Sequence, residues 1–221
     1  MAASQAFSDP VATALARAMP IFAQPYQGTS GDIDEFLGSR DRNALLVGSN
    51  GVFMGITRPW LIAVLPIMTA AVPAPYGSVA PRLTLRCGRI PAHLVDQARQ
   101  MFVDALPNEA AAFIIWNEPA REFRLERAGE LSATPSRIEY LLPDLGDGDF
   151  IVADMHSHGT APAFWSQTDD ADDRNHTRIC AVFGSLDVSN PASFTAKSRI
   201  CANGLTLDIP ALPVLQEPVL R

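Results

Sequence analysis

The chain has 221 residues, of which 48% are hydrophobic and 19% charged, and its formal net charge is -7. That length buries an ordinary core in one or two domains, and a negative balance with no basic stripe argues against a nucleic-acid partner held through its phosphates. Cys87, Cys180 and Cys201 form no CxxC pair and leave an odd count, so no disulfide framework is implied. The N-terminus lacks the basic region and apolar core of a signal peptide. The apolar stretch Trp60 to Val72 is too short to span a bilayer and is broken by Pro66. A cytoplasmic protein with reduced thiols and no membrane partner is expected.

In chain order, Val11 to Ala18 reads as a short amphipathic helix and Gly31 to Gly38 as a second. Asn43 to Val47, Gly51 to Ile56, Leu61 to Met68 and Leu83 to Cys87 are short apolar or alternating runs separated by Gly, Asn and Pro, which predicts hairpins. Ser49-Asn50-Gly51 is a strong two-strand turn signal. Trp60 to Val72 reads as buried strand. A seam falls near Pro81 to Pro91, dividing a β-rich region of unknown role, 1–88, from an α/β domain, 89–221. Pro91 to Leu106 carries Leu94, Ala98, Met101, Phe102 and Ala105 at helical spacing. Strands follow over Ala111 to Trp116, Glu122 to Arg127, Ser136 to Leu142 and Phe150 to Met155. After a loop and a helix come Arg178 to Phe183 and two further strand-like runs; Val214 to Arg221 reads as a tail or edge.

The most informative run is His156-Ser157-His158, then Ser166 and Asp169. The histidines fall at the C-terminal end of a predicted strand, where side chains at i and i+2 share a face. Both imidazoles therefore aim at one point while Ser157 points away. Gly159 to Trp165 contains Pro162 and no period, so it is a loop. Ser166-Gln167-Thr168-Asp169 matches the capping-box pattern with Asp in the Glu place, which sets Asp169 in a first helical turn directed back at the loop. Two imidazoles and a carboxylate make three of the four ligands of a tetrahedral zinc site, leaving the fourth for water. The alternative is a plain helix cap with a solvated acidic turn at Asp169, Asp170, Asp172 and Asp173, favoured by the helix dipole. A cupin wants a Glu shortly after the second His, where this chain has Ala161, Pro162 and Ala163. An amidohydrolase barrel needs several further ligands, and only His176 remains downstream. His93, opening the Pro91 helix on its polar face, reads as solvated. His176, seven residues after Asp169, reads either as a surface position or as a group behind the metal ligands.

This pattern resembles the JAMM motif of the JAB/MPN metalloproteases: a distant Glu, then His-x-His, seven residues, Ser, two residues, Asp. The family places its Glu after a helix and before a strand of small and apolar residues. Here that setting is the Pro91 helix, Pro107-Asn108-Glu109 and Ala110 to Trp116, so the resemblance carries the catalytic Glu onto Glu109. Glu118, in a turn beside Pro119, and Glu122 and Glu126, on an alternating strand, are the rival acids and read as surface charges. The chain departs from many members at Gly159, where they have Pro, and at Ala110-Ala111-Ala112, where they have Cys-Gly or Gly-Gly. Neither position supplies a ligand.

The resemblance spans about Pro91 to Pro210. It implies an MPN/JAB-type mixed sheet flanked by helices, with Zn2+ held by His156, His158 and Asp169. It further implies a zinc-bound water as nucleophile, Glu109 as general base and then general acid, and Ser166 as a donor to the oxyanion, for hydrolysis of an amide or isopeptide bond. A narrower resemblance, carried by the hairpin-rich first part joined to such a domain with Gly159 after the second His, is to a family of the PRTRC system of bacterial integrating conjugative elements. Those elements also encode an E1-like ThiF-family protein and a small ubiquitin-like protein, the implied partner and substrate. Two function classes remain at this level: a zinc peptidase or isopeptidase, and a metal-binding MPN scaffold in a conjugation or plasmid-maintenance complex. A small-molecule metallohydrolase is a third. The intact Glu, His, His, Ser, Asp set favours the first.

Overall fold

The computed structural model describes residues 21–23, 32–71, 73, 76–173, 176–202 and 204–209. The helix expected over Val11 to Ala18 and the tail Val214 to Arg221 lie outside them. The chain divides between Arg86 and Cys87 into two compact units.

In the first unit, β1 (Ile21–Ala23), β2 (Arg42–Gly48), β3 (Gly51–Thr57), β4 (Leu61–Thr69) and β5 (Arg82–Leu85) form one sheet in that order. β1 runs parallel to β2, and the other neighbours are antiparallel. The Ser49-Asn50 turn joins β2 to β3 with Gly48 opposite Gly51. The Asn50 side chain then pairs with Val79 in both directions, donating to its carbonyl and accepting from its N–H at 2.9 Å each. Helix α1 (Asp32–Gly38) lays Ile33 and Phe36 on the buried face of β2 and β3. Gly55 is needed there because a Cβ would stand 2.5 Å from the Phe36 ring. Trp60 to Val72 is not buried throughout, as expected from its composition: Leu61 to Leu65 are buried, but Ile67 and Met68 are 43% and 55% exposed. The cause is that β4 outruns β5, whose pairing ends at Val64 opposite Arg82.

In the second unit, α2 (Ala92–Asp104) precedes β6 (Ala111–Asn117), β7 (Glu122–Arg127), β8 (Gly129–Thr134), β9 (Arg137–Leu141) and β10 (Asp149–Ser157). After them come α3 (Gln167–Asp173), β11 (Arg178–Gly184), β12 (Thr195–Ala202) and β13 (Leu205–Ile209). Six strands form a mixed sheet in the order β13-β12-β11-β10-β6-β7, and β8 with β9 makes a separate two-stranded sheet. Only β10 and β11 are parallel, so β10, the loop, α3 and β11 are a crossover that returns α3 to the C-terminal end of β10. The helical cover is slighter than the expected flanked sheet, consisting here of a thirteen-residue and a seven-residue helix. β8 is the strand that sequence periodicity missed. Five of its six residues are exposed and Leu131 is its one large apolar residue, so it carries no alternation and forms by pairing with β9.

One irregularity decides which residues of β10 face the site. The register against β6 shifts between Ile151 and Ala153, a bulge that moves the alternation from odd to even residues. Ile151 opposes Ile115, Asp154 opposes Phe113, and His156 opposes Ala111, all on the face where Phe113 meets Tyr140 of β9. The opposite face takes α2, whose Leu94, Ala98 and Phe102 recur every fourth residue and are buried. Phe102 lies 5.4 Å, ring centre to ring centre, from Phe183 of β11. The helix ends before Pro107 at Ala105, whose N–H donates to the Met101 carbonyl. Phe102→Ala is expected to cost about 3–5 kcal/mol in urea unfolding with an unchanged slope; a loss below about 1 kcal/mol would show that α2 is not seated through this ring.

Candidate metal centre

His156 ends the β10 ladder opposite Ala111, and His158 follows two residues on, its N–H donating to the Phe183 carbonyl at 2.8 Å. Their Nε2 atoms stand 3.2 Å apart. Asp169 meets them from the first turn of α3, with Oδ1 3.3 Å from His156 Nε2 and Oδ2 3.8 Å from His158 Nε2. The three groups form a cluster whose ligand atoms all lie within 4.8 Å of one another. The capping box is reciprocal as the sequence predicts: the Ser166 N–H donates to Asp169 Oδ2 at 2.7 Å, and the Asp169 N–H donates to Ser166 Oγ at 3.1 Å. Because Ser166 Oγ accepts in this cap, its own O–H remains available to donate.

Gly159 to Phe164 carries the chain from the histidines to the cap and is pinned at several points. The Ala161 carbonyl accepts from the Ser185 N–H at 2.6 Å, the Gly159 carbonyl from Leu186 at 3.0 Å, and the Ala163 N–H donates to Thr195 Oγ1 at 2.9 Å. This approach requires Gly184 in β11, since a Cβ there would stand 2.3 Å from the Ala161 oxygen. Gly159 itself has φ +57°, a conformation closed to proline, so its departure from the motif marks a different loop path. Phe164 closes over the site with its ring edge on His158, centroids 4.3 Å apart.

Glu109 lines the same cavity, of about 270 Å³, as His156, His158, Ser166 and Asp169. Its N–H donates to the Thr134 carbonyl at the end of β8. Ser157 does point away from the histidines' common face, as expected, and its use is structural. Its Oγ accepts from the Ala110 N–H at 3.0 Å and its N–H donates to the Ala110 carbonyl at 2.9 Å, tying the Glu109 segment to the histidine strand. The rival acids stand elsewhere: Glu118 sits in the turn after β6, Glu122 is exposed, and Glu126 pairs with Arg124 at 3.5 Å. His93 is exposed on α2. His176 lies outside the ligand cluster and lines an adjoining trough with Arg178, Thr168 and Asp172.

Electrostatics sort these groups. Burial pushes the Glu109 carboxyl up to about 7, with His156 drawing it down and Asp169 raising it. Burial disfavours charge on His156, yet the hydrogen bond and charge of Asp169 outweigh it and raise its pKa. His158 is lowered by burial and by its neighbour His156, and its Nδ1 is buried with no hydrogen-bond partner among the described residues. Asp169 is desolvated too, but His156 and the Ser166 cap hold it well below the usual carboxylate range. Tetrahedral zinc with Zn–N bonds of about 2.0–2.1 Å separates two ligand nitrogens by about 3.3 Å, so the donor set fits that ion.

Two parts of the site escaped the sequence reading. Asp154 is buried in the cavity wall, bonded to Tyr140 Oη at 3.1 Å and to Arg178 Nη1 at 3.0 Å, and burial raises its pKa. The i, i+2 spacing that aligned the histidines also puts Asp154 on their face, so the signal was present. Asp173, Cys180 and Cys201 form a second buried group of donor atoms. There Asp173 already accepts from Cys180 Sγ at 3.0 Å and from two nitrogens of Arg199, so its negative charge is matched. All three cysteines are free and buried.

Residues 91–197 match the family of prokaryotic homologs of the JAB domain. The second unit is therefore similar to the JAB domain over most of its length. Residues 9–86 match a domain of unknown function, DUF2016. No curated protein matches the chain. Among solved structures, the chain is similar to the solution structure of protein DSY2949 from Desulfitobacterium hafniense, with 16% identity, a TM-score of 0.40, and coverage of 53% of this chain and 86% of that one.

The raised pKa of Glu109 has a consequence for the metal-free protein. The fold favours the neutral acid, so its stabilising contribution is complete below the ordinary carboxyl range and is lost as pH climbs through about 7. Glu109→Gln removes this loss. Its thermal midpoint, measured with chelator present, should gain on wild type between about pH 5 and about pH 8; a difference that does not change with pH would mean that Glu109 titrates normally.

Proposed function

We propose that the second unit is a zinc-dependent hydrolase of amide or isopeptide bonds that processes or removes a ubiquitin-like protein. The observation that carries this reading is that one cavity gathers a three-donor cluster, a carboxyl group raised toward neutrality and a hydroxyl free to donate. His156, His158 and Asp169 would hold the ion. Zinc bound there supplies Lewis acidity and lowers the pKa of a bound water to roughly 7. Glu109, whose carboxyl burial raises in the metal-free protein and which shares the cavity with the donor cluster, takes up a proton during attack and delivers it to the leaving amine. Ser166 Oγ donates to the oxyanion as the carbonyl becomes tetrahedral. Phe164 and β9 residues Arg137, Ile138 and Tyr140 line the cavity in which the scissile bond would sit.

A polypeptide substrate is supported by the β8–β9 hairpin, whose residues Pro135 to Ile138 flank the cavity. The finer assignment, to protein A of the PRTRC system with an E1-like ThiF-family partner and a cytoplasmic setting, belongs to this proposal as well. It is supported by Gly159 after the second histidine and by free thiols, which suit a reducing compartment. No helix of the described residues is long and apolar enough to cross a membrane. The alternative is a metal-holding scaffold without catalysis. It is favoured by Leu131, Leu141, Leu142 and Leu145, which are exposed on and just after the hairpin and offer a docking surface.

The separating experiment uses a small ubiquitin-like precursor of the kind that PRTRC elements encode. Glu109→Gln should retain its zinc and lose about 10²–10⁴-fold in cleavage rate, and Ser166→Ala should retain its zinc and lose roughly 10²–10³-fold. Cleavage by Glu109→Gln at the wild-type rate contradicts the mechanism. Tight binding of the precursor by zinc-loaded wild type with no cleavage establishes the scaffold instead.

A further inference from the structure

α3 carries Asp169, Asp170, Asp172 and Asp173 within its seven residues and no basic side chain, so it repels itself and has no partner of its own for those charges. Its counter-charge comes from β12. Arg199, 3% exposed, donates through Nε and Nη2 to Asp173 Oδ2 at 2.9 and 2.6 Å and through Nη1 to Asp170 Oδ1 at 2.6 Å. Its guanidinium lies over the Trp165 ring, 3.9 Å from the centroid. The other oxygen of Asp173 accepts from Cys180 of β11. One planar fork thus grips the residue before the cap and two carboxylates spaced i, i+3, which fixes both the rotation and the axial position of a helix too short to be stable alone. Asp169, next in sequence to Asp170, is thereby left facing His156 and His158. Arg199 lies beyond the residues matched by the JAB model.

We infer that Arg199 is the positioning residue for Asp169, holding α3 in the one setting that completes the metal cluster. This inference rests on the metal-site reading above. It also predicts a sign that simple electrostatics reverses. Loss of a nearby positive charge should tighten cation binding, whereas loss of a clamp that orients a ligand should weaken it, typically by about 10–100-fold. Lysine keeps the charge but cannot reproduce a bidentate, stacked fork.

The test is zinc affinity of the full chain, measured by chelator competition, together with the visible spectrum of the Co2+ form, at a temperature where each variant is folded by circular dichroism. Arg199→Lys and Arg199→Met should both bind zinc roughly 10–100-fold more weakly than wild type, with reduced intensity of the tetrahedral Co2+ bands. Trp165→Leu leaves charge unchanged and should shift both readouts in the same direction, so it decides the matter if the Arg199 variants do not fold. Wild-type affinity in folded Arg199→Lys, or tighter zinc in Arg199→Met, overturns the inference while leaving the metal site standing. No uptake of zinc by wild type overturns both.

Discussion

The two oxygens of Asp169 serve two structures that lie apart in sequence. Oδ2 accepts the Ser166 N–H that starts α3, and Oδ1 faces the His156 imidazole at the end of β10. A helix start and a donor cluster are therefore the same object. If the cap slips, the carboxylate leaves the histidines; if the strand end moves, the first turn loses the charge that faces it. The coupling explains why the loop between them is held so tightly, with Gly184 kept bare so that Ala161 can pass. An ion bound there would share one equilibrium with local folding, since the donors converge only when both elements are formed.

The face that presents this cluster is buried yet highly charged. Asp154 with Arg178, and Asp173 with Arg199, are ion pairs in which every partner is less than a tenth exposed. Such pairs are expensive to desolvate and contribute little net stability compared with apolar packing. Their value here is geometric. Each ties the β10–β11–β12 sheet to something that must be placed over it, Tyr140 of the hairpin in one case and α3 in the other. The opposite face of the sheet needs no such devices, because α2 covers it with Leu94, Ala98 and Phe102. The β10 bulge allocates the residues, turning Asp154 and His156 toward the charged side.

Much of this was legible in the sequence where the deciding physics is local. The i, i+2 rule aligned His156 with His158, the Ser166–Asp169 spacing announced a cap that the structure closes in both directions, and the period of Leu94, Ala98 and Phe102 announced α2. Glu109 came from the family resemblance, which places its acid between a helix and an apolar strand, and it does line the cavity. What stayed hidden depends on partners distant in sequence. β8 has no alternation and exists because β9 pairs with it. The exposed end of β4 follows from the shortness of β5. Arg199 is one arginine between Ser198 and Ile200 until α3 is laid across it, with Asp170 29 residues away in sequence and 2.6 Å away in space.

The identity of the donors can be read by X-ray absorption at the zinc edge of the stoichiometrically loaded protein. His156, His158 and Asp169 require a first shell of nitrogen and oxygen alone at about 2.0–2.2 Å, with the outer-shell scattering of two imidazoles. Sulfur at about 2.3 Å would place the ion instead at Asp173, Cys180 and Cys201, the second buried donor group, and would contradict the account.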